Sequence, residues 1–237
     1  MARRARIVAP GTPHQISTRG NNKRRIFSDR GDYLAFIRYL SRQLEATGCQ
    51  LHQLTLMVNH VHMIVTPPSA AALANLMKWT LSDYARARNR KRASCGHLFE
   101  GRFFSRVIDS PRYLAVATMY NDANLAHAGL LDDPTNHQWS TCGIHAGFPD
   151  RSSIPLRMWT PSTWYRSLGA PAERPVAYRA LLQQHMVTHP LAVDPDLVAF
   201  ERPAVQPYRR RVERPDGASA REAPNAVWLK TRGGRRG

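Results

Sequence analysis

Residues 51–68 read LHQLTLMVNHVHMIVTPP. Leu51 to Val58 has the alternation of a strand, with Leu54, Leu56 and Val58 on one face. Val61 to Thr66 repeats the pattern: Val61, Met63 and Val65 share one face, while His60, His62 and Ile64 share the other. Pro67 and Pro68 end the run, because proline offers no amide to a strand ladder.

Helices flank this pair of strands. Upstream, Ser28 or Asp29 is placed to cap a helix from about Gly31, with Tyr33, Phe36, Ile37, Leu40 and Leu44 spaced three and four apart and Gly48 at its end. Downstream, Ser69 caps a long helix carrying Leu73, Leu76, Met77, Leu81 and Tyr84, which closes on Arg86, Arg88, Arg90, Lys91 and Arg92. Further out lie His14–Thr18, which alternates like a strand before a Gly20-Asn21-Asn22 loop, and Arg102–Ile108, a short β-type run. Pro111, after Asp109 and Ser110, opens a helix that the pattern extends to about Ala128 and ends at Gly129. Tyr113, Ala117, Tyr120 and Asn124 then share one of its faces. Strand, helix, strand, strand, helix, strand, helix is satisfied by an antiparallel sheet with helices packed on one face, an α+β fold.

The chain has 237 residues, 43% hydrophobic and 22% charged, which suits one large domain or a domain with an extension and excludes wholesale disorder. The pattern weakens from about Asp132. Trp139, Trp159, Trp164 and Tyr165 still imply packed structure, and Glu173–Met186 reads as one more helix. Beyond Pro203 the sequence is rich in Pro, Gly and Arg (Arg209–Arg211, Arg235, Arg236), the composition of a tail that stays disordered unless nucleic acid orders it. Cys49, Cys95 and Cys142 form no CxxC pair, which argues against a disulfide framework or a zinc ribbon and for a reducing cytoplasm. No apolar run is long enough to span a membrane, and the basic start lacks the apolar stretch of a secretion signal. A net charge of +17 points to phosphate-rich partners, nucleic acid ahead of an acidic membrane surface.

Three groups of residues can carry chemistry. His60 and His62, two apart on a strand, point the same way with backbones about 7 Å apart. They either hold one divalent metal or are polar residues on a half-exposed face. Tyr120 and Asn124 sit side by side one helical turn apart, within about 6 Å. They are either a phenol nucleophile with an amide oxygen ligand, or a core aromatic and a helix-end polar group. The basic stretch Arg86–Arg92, with Lys23–Arg25 and the nearby Phe99, Phe103 and Phe104, either tracks a phosphate backbone and stacks bases or is a solvated helix end over ordinary core aromatics.

Taken together, "RRARIVAPGTPHQISTRGNN" (3–22), "LTLMVNHVHMIVTP" (54–67), "HLFEGRFFSRVIDSPRYL" (97–114) and "MYNDANLAHAGL" (119–130), with a fainter echo in "AYRALL" (177–182), resemble the single-tyrosine HUH transposases of the IS200/IS605-like group, in particular the branch associated with repetitive extragenic palindromes (REP). The resemblance covers about residues 1–145. It implies a ferredoxin-like antiparallel sheet with the histidines on a central strand. It implies a catalytic domain over 1–145; the residue pattern and composition add a C-terminal extension with at least one helix over 146–200 and a basic tail over 201–237, which the resemblance does not reach.

For the site, the resemblance implies that His60, His62 and Asn124 are metal ligands for Mg²⁺ or Mn²⁺ and that Tyr120 is the nucleophile. The implied substrate is single-stranded DNA next to a hairpin, cut and rejoined through a 5′-phosphotyrosine. With the charge pattern it nominates Arg3, Arg4, Arg19, Asn21, Arg86, Arg88, Arg90, Arg92, Arg102 and Arg106 as nucleic-acid contacts. A monomer or homodimer working in the cytoplasm at the nucleoid is implied as well. Where the family usually carries Leu-Asn-Pro-Val-Arg-Ala, this chain has Ala123-Asn124-Leu125-Ala126-His127-Ala128, and the usual Trp-Ser-Ser-Tyr is Trp139-Ser140-Thr141-Cys142. These departures motivate two other readings: a catalytically inactive DNA- or RNA-hairpin-binding protein on the same scaffold, and a metal-dependent hydrolase without a covalent intermediate.

Overall fold

The structure is a computed structural model, described here over residues 6–188. Arg3, Arg4 and the basic tail lie outside the described residues. The element order is β1 (His14–Arg19), α1 (Arg30–Thr47), β2 (Gln50–Met57), β3 (His60–Thr66), α2 (Ala70–Lys91), β4 (Phe104–Val107), α3 (Pro111–Asp122), α4 (Asn124–His127), α5 (Cys142–His145), α6 (Thr163–Arg166) and α7 (Arg174–Thr188). The four strands form one antiparallel sheet in the order β2-β3-β1-β4, the ferredoxin-like arrangement. Both histidines therefore sit on an interior strand.

Local chemistry sets the helix ends. The Asp29 carboxylate accepts from the Asp32 amide and the Ser69 hydroxyl from the Ala72 amide, each filling an orphan donor of a first turn. Gly48 ends α1 at φ 67°, a conformation open to glycine without a Cβ penalty. The apolar stripes of α1 and α2 pack on one sheet face, against Ile16, Leu54, Leu56, Val61, Met63 and Val65. Phe27, Phe36, Tyr33 and Tyr84 interlock there, and Tyr33 stacks on Trp139 at 4.5 Å.

The sheet is covered on both faces, which corrects the one-face expectation. α3 packs on the opposite side, where Ile64, Leu114 and Ala117 join Cys142, Trp164 and Tyr178 in a second apolar cluster. That cluster draws residues from before and after position 145. The segment after α4 also closes the β2 edge: Leu56 N–H donates to Trp139 O, Thr141 N–H to Leu54 O, and Thr160 N–H to Leu51 O. An edge that would otherwise expose its ladder is thereby covered, which is why β2 is buried almost throughout.

The helix expected to run from Pro111 to Ala128 breaks at Ala123. Thr55 of β2 donates to the Asn121 carbonyl at the break, and Gln53 exchanges hydrogen bonds with the side chains of Asn121 and Asp122. The sheet thus holds the last turn of α3, and the chain restarts as α4 before Gly129, at φ 67°, ends it. Cys49, Cys95 and Cys142 are all free thiols. Among the described residues, no helix is long and apolar enough to cross a membrane.

Candidate active site

The α3-facing side of the sheet presents a row of polar side chains. Register places Ser17 opposite His62 and Arg19 opposite His60, with Phe104 of β4 beside Ser17. α3 is docked over this row by Tyr113, whose hydroxyl donates to Gln15 at 2.6 Å while the Arg106 guanidinium lies 4.8 Å from its ring. Beside α3 lies a cavity of about 400 Å³, lined by residues of β1 and β3 and of the α3–α4 junction.

His60, His62, Tyr120 and Asn124 all line this cavity. The two imidazoles meet edge to face with centroids 4.8 Å apart, closer than the backbone spacing. Tyr120 is 49% exposed, and its ring centroid lies 6.0 Å from that of His127. A phenol in this setting has a path to solvent and substrate.

The histidines are prepared to act as neutral donors. Asn59 Nδ2 donates to the Lys23 carbonyl, which turns its Oδ1 toward His60 Nδ1 at 2.6 Å. The His60 proton therefore sits on Nδ1 and the Nε2 lone pair stays open, the orientation that outer-shell partners impose on metal-binding histidines. Burial, then the electrostatic influence of His62 and of the Arg19 cation, hold the His60 pKa well below its ordinary value. Burial and Arg19 bring His62 down to about 4. His62 Nδ1 is buried and has no hydrogen-bond partner. Such an orphan costs folding free energy. Among the described residues no three His, Cys, Asp or Glu side chains converge as a metal centre, so a cation here needs an amide or other oxygen besides the imidazoles. Asn124 lines the same cavity.

Other cavity residues escaped the sequence reading. Glu100 lines it because its backbone amide donates to Arg19 O and Phe99 bridges Gly20, which ties an irregular segment to the end of β1. No periodicity marks that segment. His127 also lines the cavity, at the position where the family usually has arginine.

Of the residues nominated for nucleic acid, Arg19 and Arg102 line the cavity. Arg106 lies over Tyr113. Asn21 faces a neighbouring cleft. The basic end of α2 is largely engaged within the fold. Arg88 donates to the Ile26 and Arg25 carbonyls, and Arg86 pairs with Asp83. Arg92 bridges Asp29 and the buried Asp32. Arg90 is exposed.

One consequence is acid sensitivity. Burial also brings His137 down to about 4. Between pH 6.5 and 4 the unfolded chain takes up protons that His137 and His62 refuse in the fold, so stability is flat above about 6.5 and falls as pH drops toward 4. His137 alone removes about 3 kcal/mol by pH 4. Thermal melts across this range are expected to show the fall, and an unchanged Tm would contradict neutral burial.

The α+β sheet thus carries the paired histidines beside a helix that bears Tyr120. Residues 13–120 match the family described as "Transposase IS200 like". Among solved structures, the fold is similar to that of a protein described as "Structure of the REP associates tyrosine transposase bound to a REP hairpin". The likeness has a TM-score of 0.51 and 12% identity, covering 68% of this chain and 93% of that one. No curated protein matches the chain.

Proposed function

We propose that this chain is a transposase/endonuclease that cleaves and rejoins single-stranded DNA next to hairpins through a covalent 5′-phosphotyrosine on Tyr120. The observation that carries the reading is the meeting of Tyr120 and Asn124, more than fifty residues from the histidines in sequence, with His60 and His62 in one cavity. The solved relative with a REP hairpin bound supports hairpin DNA as the substrate class.

His60, His62 and Asn124 would hold one Mg²⁺ or Mn²⁺, with two imidazoles favouring Mn²⁺. Bound there, the ion would polarise a phosphoryl oxygen. The remaining steps belong to the chain. Arg19 and Arg102 attract the phosphate backbone. Phe104, 57% exposed at the cavity mouth, offers a stacking face to an unpaired base. The Tyr120 oxygen bonds to phosphorus as the bond to the 3′-oxygen breaks; His127, whose ring lies beside that of Tyr120, takes the phenol proton and passes a proton to the departing 3′-oxygen. The 3′-hydroxyl leaves, and the phosphoester on Tyr120 retains the energy for rejoining. All four residues come from one chain, which supports a monomer as the catalytic unit. The place of work would be the nucleoid.

The test is direct. Incubated with Mn²⁺ and a 3′-labelled hairpin oligonucleotide, the protein is expected to form a labelled covalent adduct that Tyr120→Phe abolishes. Cleavage that persists in Tyr120→Phe means a hydrolase without the intermediate. Binding without cleavage, indifferent to chelator, means a hairpin-binding protein.

A further inference from the structure

A second cleft, of about 650 Å³, lies on the other side of Arg102, between α2 and the 96–103 segment. That volume falls within the range of small-ligand sites, about 300–1,000 Å³. Its floor is apolar: Met77 and Leu98 are buried, and Leu81, Phe99 and Phe103 pack partly exposed above them. Its rim is cationic and polar, with Arg6, Lys78, His97 and Arg102, and no acidic side chain lines it among the described residues. The Arg6 guanidinium lies 3.7 Å from the Phe103 ring centroid and donates to the Phe103 carbonyl, so one wall is a prebuilt cation–aromatic stack.

We infer that this cleft is a nucleobase subsite: it takes an unpaired base of the same DNA strand whose scissile phosphate occupies the Tyr120 cavity. The inference rests on the reading above and deepens it. Three observations favour this occupant over a peptide or a lipid. Arg102 lines both cavities, so a backbone phosphate held there leads from one into the other without a gap. The cleft combines an apolar, partly aromatic interior with a purely cationic charge balance at its rim, the pairing that a base and its phosphate require. The wall is also fixed to the catalytic strand: Asn21 N–H donates to Leu98 O, Glu100 N–H donates to Arg19 O, and Phe99 bridges Gly20. A base seated in the cleft therefore sets the register of the strand relative to Tyr120, and the subsite chooses which phosphate is cut.

The experiment uses the full chain and single-stranded oligonucleotides carrying one 5-iodouracil, or one abasic residue, at successive positions around the cleavage site. Photo-cross-links from one position are expected to map to residues 77–103. An abasic residue at that position should weaken binding about tenfold, the scale of one lost base stack. Ser82→Trp, on a half-buried rim position of α2, fills the cleft without touching the first cavity; it should weaken the intact oligonucleotide to the level of the abasic one and spread the cleavage positions. A Tyr120 adduct with cross-links that never reach 77–103, or with unchanged binding in Ser82→Trp, overturns the subsite and leaves the proposed function standing. Cross-links in the cleft without any adduct support the subsite and count against the cleavage reading. A circular dichroism melt of Ser82→Trp matching the wild type confirms that its effect is local, and Ser82→Ala, which leaves the cleft open, should bind like the wild type.

Discussion

Asp122→Ala is expected to lower folding stability by about 3–5 kcal/mol, the cost of removing one buried acceptor from several buried donors. Asp122 is fully buried two residues after Tyr120. Its carboxylate accepts from His145 Nδ1 at 2.6 Å, the Tyr178 hydroxyl at 2.7 Å, Gln53 Nε2 at 3.0 Å and the Ser140 hydroxyl at 3.2 Å. These partners come from α5, α7, β2 and the loop before α5. Removing the acceptor strands several buried donors at once, and each stranded donor carries its own desolvation penalty. Tyr178 reports the same closeness from the other side, since burial first and then the Asp122 charge push its phenol well above the ordinary value.

The total stability of a domain is only about 5–15 kcal/mol, so this single change takes a large share. Urea unfolding should show the midpoint falling at constant m-value. Asp122→Asn should fall in between, because it keeps one acceptor oxygen but turns an amide toward donors. A loss below about 1 kcal/mol for Asp122→Ala would mean that the C-terminal extension is not fastened to the tyrosine helix through this residue.

That network marks the boundary of what the sequence discloses. The helix limits at Asp29, Gly48, Ser69 and Gly129 and the alternation around His60 and His62 are local signals, written within a few residues, and the structure carries them as read. The break at Ala123 is not local. It depends on Thr55 and Gln53, whose hydrogen bonds to Asn121 and Asp122 span more than sixty residues. The partners of Arg88 and Arg92 are equally remote: Arg88 reaches the Arg25 and Ile26 carbonyls, and Arg92 the carboxylates of Asp29 and Asp32. A run of arginines announces positive charge without saying which of them the fold uses internally. Glu100 enters the cavity through backbone pairing alone, a signal that side-chain patterns do not carry. The resemblance supplied what periodicity could not, namely that a tyrosine sixty residues downstream belongs with the histidine pair.

His62→Ala should separate function from stability. The imidazole is held neutral by burial, its Nδ1 has no partner in the fold, and it lines the cavity beside His60. A side chain kept at such a disadvantage contributes little to folding, as is common where a site departs from the local optimum. His62→Ala is therefore expected to leave stability near neutral pH within about 1 kcal/mol and to lessen the decline between pH 6.5 and 4, since one proton-refusing group is gone. Mn²⁺ binding, followed by electron paramagnetic resonance or calorimetry on the DNA-free protein, should be lost, and adduct formation with it. Asn59→Ala tests the support behind the pair: with the Nδ1 partner of His60 removed, Mn²⁺ affinity should fall about 10–100-fold, the usual effect of an outer-shell partner. Full Mn²⁺ affinity in His62→Ala would detach the histidine pair from metal binding. A large stability loss in His62→Ala would return His62 to the core, leaving Tyr120 without the arrangement that gives its phenol a task.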